Sequence, residues 1–215
     1  MGRIISADEA AELIPDGARV MLCGPPPGIA PIRLVDALVA RRVRGLTVIA
    51  RDLASPGAGV SRLIEAGCVA RAIVARAGSN AVARRRLMRE EFALEILGPE
   101  SFVERIRAAG RGLGGVLVPS GRRVGADTGL MIELDGLPHV VERPLRAQFA
   151  LLAASRADLY FDLAYARDTP EVAPLMASAV DCVVVEPETM EQEALPSSVL
   201  QTSGVAVTYI LRPAR

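Results

Sequence analysis

Few side chains in this 215-residue sequence are equipped for covalent or proton-transfer chemistry. There is one histidine, His139, and there are three widely spaced cysteines, Cys23, Cys68 and Cys182. Their spacing fits neither a structural zinc site nor a disulfide framework. All 25 basic residues are arginine, so the chain has neither a phosphate-loop lysine nor a Schiff-base lysine. A serine–histidine–acid triad would have to run through His139, and no nucleophile elbow lies near it. His139 therefore reads as a hairpin side chain and Cys23 as a small buried apolar residue.

The sequence offers backbone and guanidinium groups instead. Gly24-Pro25-Pro26-Pro27-Gly28-Ile29-Ala30 leaves the first long apolar run, where open α/β sheets bind ligands at strand carboxyl ends. Arg51 ends the next apolar run, and it has two readings. Its planar fork suits a carboxylate or phosphate, or it is an ordinary salt-bridged surface arginine. Gly78-Ser79-Asn80 opens a helix, with Ser79 or Asn80 as its cap and an anion at its N-terminus as the other reading. Glu142-Arg143-Pro144 reads as a structural ion pair, and Arg84-Arg85-Arg86 as a solvated helix face.

The elements that must position these residues alternate. Ser6-Ala7-Asp8-Glu9 fits a capping box for a short helix to about Ile14, and Arg19–Cys23 is a strand. Pro31 suits the first position of a helix to about Arg42, with Leu34, Val35, Leu38 and Val39 on one face. Strands follow at Leu46–Ala50, Ala72–Ala75 and Leu94–Leu97, with helices near Val60–Ala66 and Asn80–Arg89. Ser101 and Glu104 fit a second capping box, for a helix to about Ala109. After a glycine-rich stretch, Leu130–Leu134 and His139–Val141 flank Asp135-Gly136 as a β-hairpin-like excursion. Phe149–Ala153, Leu159–Ala164, a helix around Glu171–Ala179, Val183–Val185 and a last strand Val205–Leu211 complete the chain. Unbroken Val/Ile/Leu runs alternating with helices predict an α/β fold: an open, mostly parallel sheet with helices on both faces, in one domain over 1–215.

Composition narrows the partners. The 25 basic and 25 acidic residues cancel, and aromatics are 3% with no Trp, which disfavours nucleic acid as a ligand. The N-terminus turns acidic too early for a signal peptide, and no uncharged apolar run approaches about 18 residues. A cytoplasmic protein without a membrane partner is expected.

In order along the chain, several segments resemble the α subunit of family I CoA-transferases. They are Asp16–Gly24, Pro31–Leu38, Leu46–Ala50, Arg62–Gly67, Gly112–Gly121, Glu142–Ala147, Pro174–Met176 and Val184–Pro187. Any one glycine-rich patch is weak evidence; the ordered set is specific. The resemblance implies a heteromer with a β subunit that carries the nucleophilic glutamate, so none of the acidic residues here is the attacking group. It implies transfer of CoA from an acyl-CoA to a carboxylic acid, a 3-oxoacid among the candidates. The CoA thioester is then a substrate, and no bound cofactor or metal is expected. Arg84-Arg85-Arg86 gains a second reading, as a contact for CoA phosphates or for an acidic patch on the partner.

The departures from the family pattern mark the candidate site. Gly24, Pro25, Pro26 and Gly28 stand where the family has Gly-Gly-Phe leading to Gly-x-Pro, and neither proline has an N–H to offer an oxyanion. Arg51 replaces the usual Asn. Pro99 and Glu100 fall in the stretch where the family has Pro-Gln-Gly-Thr. These residues form the expected substrate-binding set. Two other readings of the same fold remain: a CoA-thioester hydrolase or ring-opening subunit, and a non-catalytic regulatory subunit.

Overall fold

The computed structural model describes residues 2–23, 31–120, 130–165 and 172–213. Its first half is a regular alternation: β1 (Arg3–Ile5), α1 (Ala7–Glu12), β2 (Arg19–Cys23), α2 (Ile32–Arg41), β3 (Leu46–Asp52), α3 (Gly59–Glu65), β4 (Val69–Arg76), α4 (Ala81–Met88), β5 (Ala93–Ile96) and α5 (Pro99–Gly110). Three strands then form a separate sheet: β6 (Val116–Pro119), β7 (Leu130–Leu134) and β8 (Leu137–Glu142). The chain returns through β9 (Ala147–Asp158), β10 (Leu163–Ala164), α6 (Val172–Ser178), β11 (Val180–Glu191) and β12 (Tyr209–Leu211).

The main sheet runs β1-β12-β11-β9-β2-β3-β4-β5, and every pair along that path is parallel. The short β10 is antiparallel to β9. From β2 the chain steps outward through β3, β4 and β5; from β9 it steps the other way through β11 and β12. The junction of β2 and β9 is therefore the topological switch point, where the carboxyl ends of an open sheet leave a crevice.

Alternating side chains feed two cores, one on each face of the sheet. Val20, Leu22, Val48, Ala50 and Leu151 join α2 and α3 through Leu34, Leu38 and Leu63. Met21, Cys23, Ile49, Leu152 and Val185 join α5 and α6 through Phe102, Ile106 and Met176. Both faces are dry, which is why these strands read as unbroken apolar runs. α5 and α6 pack closely: a Cβ on Gly110 would overlap the Ser178 hydroxyl.

The open, mostly parallel sheet matches the reading from sequence, and so does the capping box at Ser6. The Ser6 hydroxyl accepts from Glu9 N–H at 3.1 Å, and Glu9 accepts from Ser6 N–H at 2.7 Å. Elsewhere tertiary structure moved the boundaries. The excursion is a three-stranded antiparallel sheet, because Val116–Pro119 pairs with β8 on the side opposite β7. Its Asp135-Gly136 turn has φ of 51° and 73°, the two left-handed positions of a two-residue hairpin loop.

Ser101 does not cap α5. Pro99 begins that helix behind Gly98, and the buried Ser101 hydroxyl donates instead to Glu142. Glu142 is thus held by Ser101 rather than by its neighbour Arg143, whose carbonyl accepts from Arg105 Nε at 2.7 Å. Of Leu159–Ala164 only the last two residues pair as a strand. The final strand starts at Tyr209, since Gly204–Ala206 winds into a 3-10 turn capped by Ser203. Among the described residues no helix is long and apolar enough to cross a membrane.

Candidate functional site

β2 ends at Cys23 on the switch point, and Pro31 follows at the N-cap of α2. The loop residues Gly24, Pro25, Pro26 and Gly28 lie outside the described residues. The far anchor of that loop is held from a distance. Pro31 offers no side-chain acceptor, so the first turn of α2 takes its cap from Glu186 on β11. One carboxylate oxygen of Glu186 accepts from Arg33 N–H at 3.2 Å and Arg33 Nε at 3.3 Å; the other accepts from Leu34 N–H at 3.1 Å. A carboxylate at a helix N-terminus is favoured by the exposed amides and by the dipole. This positive end is therefore already matched by the protein's own anion.

Beside the switch point a cavity of about 410 Å³ opens at the carboxyl ends of β3 and β4, between α5 and α6. Arg51 lines it from β3, and Ala75 and Arg76 from β4. One stripe of α5 completes the near wall: Pro99, Phe102, Val103 and Arg107. Their i, i+3, i+4, i+8 spacing puts them on a single helix face. Val172 and Leu175 of α6 form the opposite wall. The cavity thus has apolar sides and an arginine rim.

Two of the sequence candidates, Arg51 and Pro99, meet in this cavity. Glu100 is in the first turn of α5, exposed, and is not part of the lining. Arg76 and Arg107 were not singled out from sequence, although the α5 stripe was a usable signal for Arg107. Arg76 lies 3.7 Å from Asp52, and Arg107 pairs with Glu104. Arg51 is exposed and has no hydrogen-bond or ion-pair partner among the described residues.

None of the described residues lining the cavity is a carboxylate, thiol or hydroxyl. Cys23 is the nearest candidate by sequence, but its thiol is buried and pushed up to about 12, against a slight opposing pull from Arg51. The Tyr165 hydroxyl is buried against Thr202 Oγ1 at 3.0 Å, and burial raises its pKa as well. Neither group offers an anion near neutral pH. Among the described residues no cluster of three His, Cys, Asp or Glu side chains could hold a metal ion.

The remaining motifs have the following surroundings. The Asn80 side chain caps α4, accepting from Val82 and Ala83 N–H at 3.0 Å each. It also donates to Ser61 Oγ at 2.7 Å, and Ser61 donates to Glu65. Glu65 is held below the usual carboxylate range, first by the Ser61 hydroxyl and then by Gly57 N–H. Arg86 pairs with Glu91 and reaches the Glu65 carbonyl, while Arg84 and Arg85 are exposed. His139 sits in β8 with Nδ1 2.9 Å from the Leu137 carbonyl.

A doubly covered open α/β sheet with a cavity at the strand carboxyl ends is the arrangement in which proteins of the open α/β class bind ligands. The pattern of the Coenzyme A transferase family matches residues 4–212, and the chain belongs to that family. It is 34% identical to the acetate CoA-transferase subunit alpha of Escherichia coli (strain K12), across 97% of this chain and 96% of that protein. It is 32% identical to the acetoacetyl-CoA:acetate/butyrate CoA transferase alpha subunit of Clostridium acetobutylicum, across 98% of this chain and 97% of that one. Among solved structures, a variant of the decarboxylase AibA/AibB superposes with a TM-score of 0.83 at 28% identity, covering 99% of this chain and 83% of its own.

Proposed function

We propose that the chain is the α subunit of a CoA-transferase that moves CoA from an acyl-CoA to a carboxylic acid, working with a β subunit that brings the attacking glutamate. The observation that carries the division of labour is the cavity itself, which has arginines and apolar walls among its described lining residues but no nucleophile. The full-length likeness to two CoA-transferase alpha subunits supports the reaction class. Substrates are an acyl-CoA thioester and a free acid, with no bound cofactor required.

In this reading a glutamate carboxylate of the partner attacks the thioester carbonyl, the C–S bond breaks, and CoA leaves as thiolate. The thiolate then attacks the glutamyl carbonyl of the mixed anhydride, which releases the donor acid and leaves a glutamyl-CoA thioester. The acceptor carboxylate attacks that thioester, CoA thiolate leaves again, and its attack on the acyl carbonyl of the second anhydride gives the new acyl-CoA. The nucleophile splits one exchange into easier steps. The α chain contributes walls, the arginine rim and the β2–α2 connection anchored by Glu186.

The partner has a surface to cover. On one face of the three-stranded sheet Leu117, Leu130, Leu134 and Leu137 are 46%, 69%, 48% and 63% exposed. These residues share a face by the cross-strand register, which aligns Leu117 with Val141 and Leu130, and Leu137 with Leu134. Such a contiguous apolar face marks an interface. We assign it to the β subunit.

The test is intact mass spectrometry of the complex co-purified with its β-type partner, after incubation with acyl-CoA. A CoA adduct on the partner that only an added carboxylic acid discharges supports the reading. Release of CoA without an adduct overturns it and points to the hydrolytic alternative; a stable complex with neither turnover nor acyl-CoA affinity points to a regulatory subunit. Chemistry other than transfer has one specific observation behind it, the likeness to a decarboxylase structure. Carbon dioxide release in the same incubation would identify that outcome.

A further inference from the structure

We propose that Arg51 selects acyl groups bearing a second, distal carboxylate, so that the substrates are dicarboxylic acids and their mono-CoA thioesters; this rests on the transferase reading above. The rim of the cavity carries three guanidiniums, from Arg51, Arg76 and Arg107, and no acidic side chain is among its described lining residues. Two of the three have counter-charges close by, Asp52 for Arg76 and Glu104 for Arg107. That leaves one unmatched positive charge, on Arg51, among the described residues.

The walls beside that charge are apolar, made by Phe102, Val172 and Leu175. A cavity that combines these apolar walls with a guanidinium lacking a partner among the described residues complements a ligand with a short alkyl stem and an anionic head. Arginine adds selectivity because its rigid fork meets both oxygens of a carboxylate. The volume suits a short chain: about 410 Å³ lies toward the small end of ligand clefts, which run roughly 300–1,000 Å³. A monocarboxylic acyl group would leave Arg51 unpaired as the cleft loses water, and sites with unmatched polar groups discriminate strongly. The two CoA-transferase relatives compared above are named for acetate, acetoacetate and butyrate, so this preference would set the chain apart from them.

A phosphate of CoA is the other anion available to Arg51, and the two sources separate by experiment. The complex with its β-type partner is assayed for kcat/KM with succinate and glutarate, with butanoate and pentanoate, and with succinamate, which keeps the shape of succinate and removes the distal charge. The expected result is a preference for the diacid over its half-amide of at least about tenfold, the effect of a charge-assisted hydrogen-bonded pair. In Arg51→Gln that ratio collapses to within about twofold, and Arg51→Lys falls between.

Equal use of diacid and half-amide by the unaltered complex overturns the proposal without relying on any variant. So does an Arg51→Gln enzyme that keeps the preference, or one that loses activity on all acceptors alike, which would place Arg51 on CoA. Absence of transfer with every acid breaks the transferase reading instead. Calorimetric binding of succinyl-CoA against butanoyl-CoA then still decides: tighter succinyl-CoA binding that Arg51→Gln abolishes supports the proposal, and equal binding overturns it.

Discussion

Val48 and Ile49 are neighbours on β3 and point to opposite faces of the parallel sheet, yet both are fully buried. On β8 the two faces divide: Val140 is 1% exposed, whereas Leu137, at the start of the strand and on the other face, is 63% exposed. The residue types are similar; the difference lies in what covers them. Helices of this chain cover both faces of the long sheet. The three-stranded sheet has α5 on one side, tied through the Ser101–Glu142 hydrogen bond, while on the other side Leu117, Leu130, Leu134 and Leu137 are left exposed among the described residues. Apolar surface that one chain leaves open is surface a partner can bury, and its energetic weight should appear in assembly rather than in folding.

The largest effect that sharpens this contrast is Leu151→Ala. Leu151 is fully buried in β9 and pairs with Leu22 on β2 and Val184 on β11, at the centre of the sheet. Truncation leaves a cavity that flanking strands cannot close, and a loss of about 2–5 kcal/mol is expected. Urea unfolding checks it as a lower midpoint at unchanged slope. A loss below about 1 kcal/mol would mean that this sheet is as loosely covered as the small one.

A smaller effect comes from Glu186→Gln. The carboxylate serves three donors with two oxygens, whereas an amide turns its NH2 toward one of them. A loss of about 1–2 kcal/mol is expected, in line with removal of a helix cap. Hydrogen exchange should quicken at the amides of Arg33 and Leu34 and not in α3. Unchanged exchange there would show that the α2 start is fixed by packing alone.

Much of the long sheet was legible because its strands are buried on both faces and its helices carry local start signals. Ser6-Ala7-Asp8-Glu9 spells a cap, and Asp135-Gly136 spells a hairpin turn. The same local logic misled at Ser101, where Pro99 sets the helix start and the serine serves a residue 41 positions away. β6 was hidden between glycine-rich stretches, since a short strand of an exposed sheet has no long apolar run. Of the candidate site, Arg51 and Pro99 were legible as departures at the ends of predicted elements. The cap of α2 was not, because its partner Glu186 lies 153 residues along the chain and only the fold brings them together.

The smallest effect on the folded chain, and the sharpest test of the contrast, is Leu137→Lys. Leu137 is already mostly in water, so the substitution removes little buried area and adds a solvated charge. Its cost to the chain's own stability should stay within about 0.5 kcal/mol, the usual range for surface changes. Once the partner seats on that face, the same ammonium would be buried without a counter-charge. Affinity for the β-type partner, measured by titration calorimetry, should then weaken at least about tenfold while the urea midpoint hardly moves. If both stay unchanged, the apolar face is not where the partner docks. If stability falls as far as in Leu151→Ala, the small sheet belongs to the chain's own core and the distinction between the two sheets disappears.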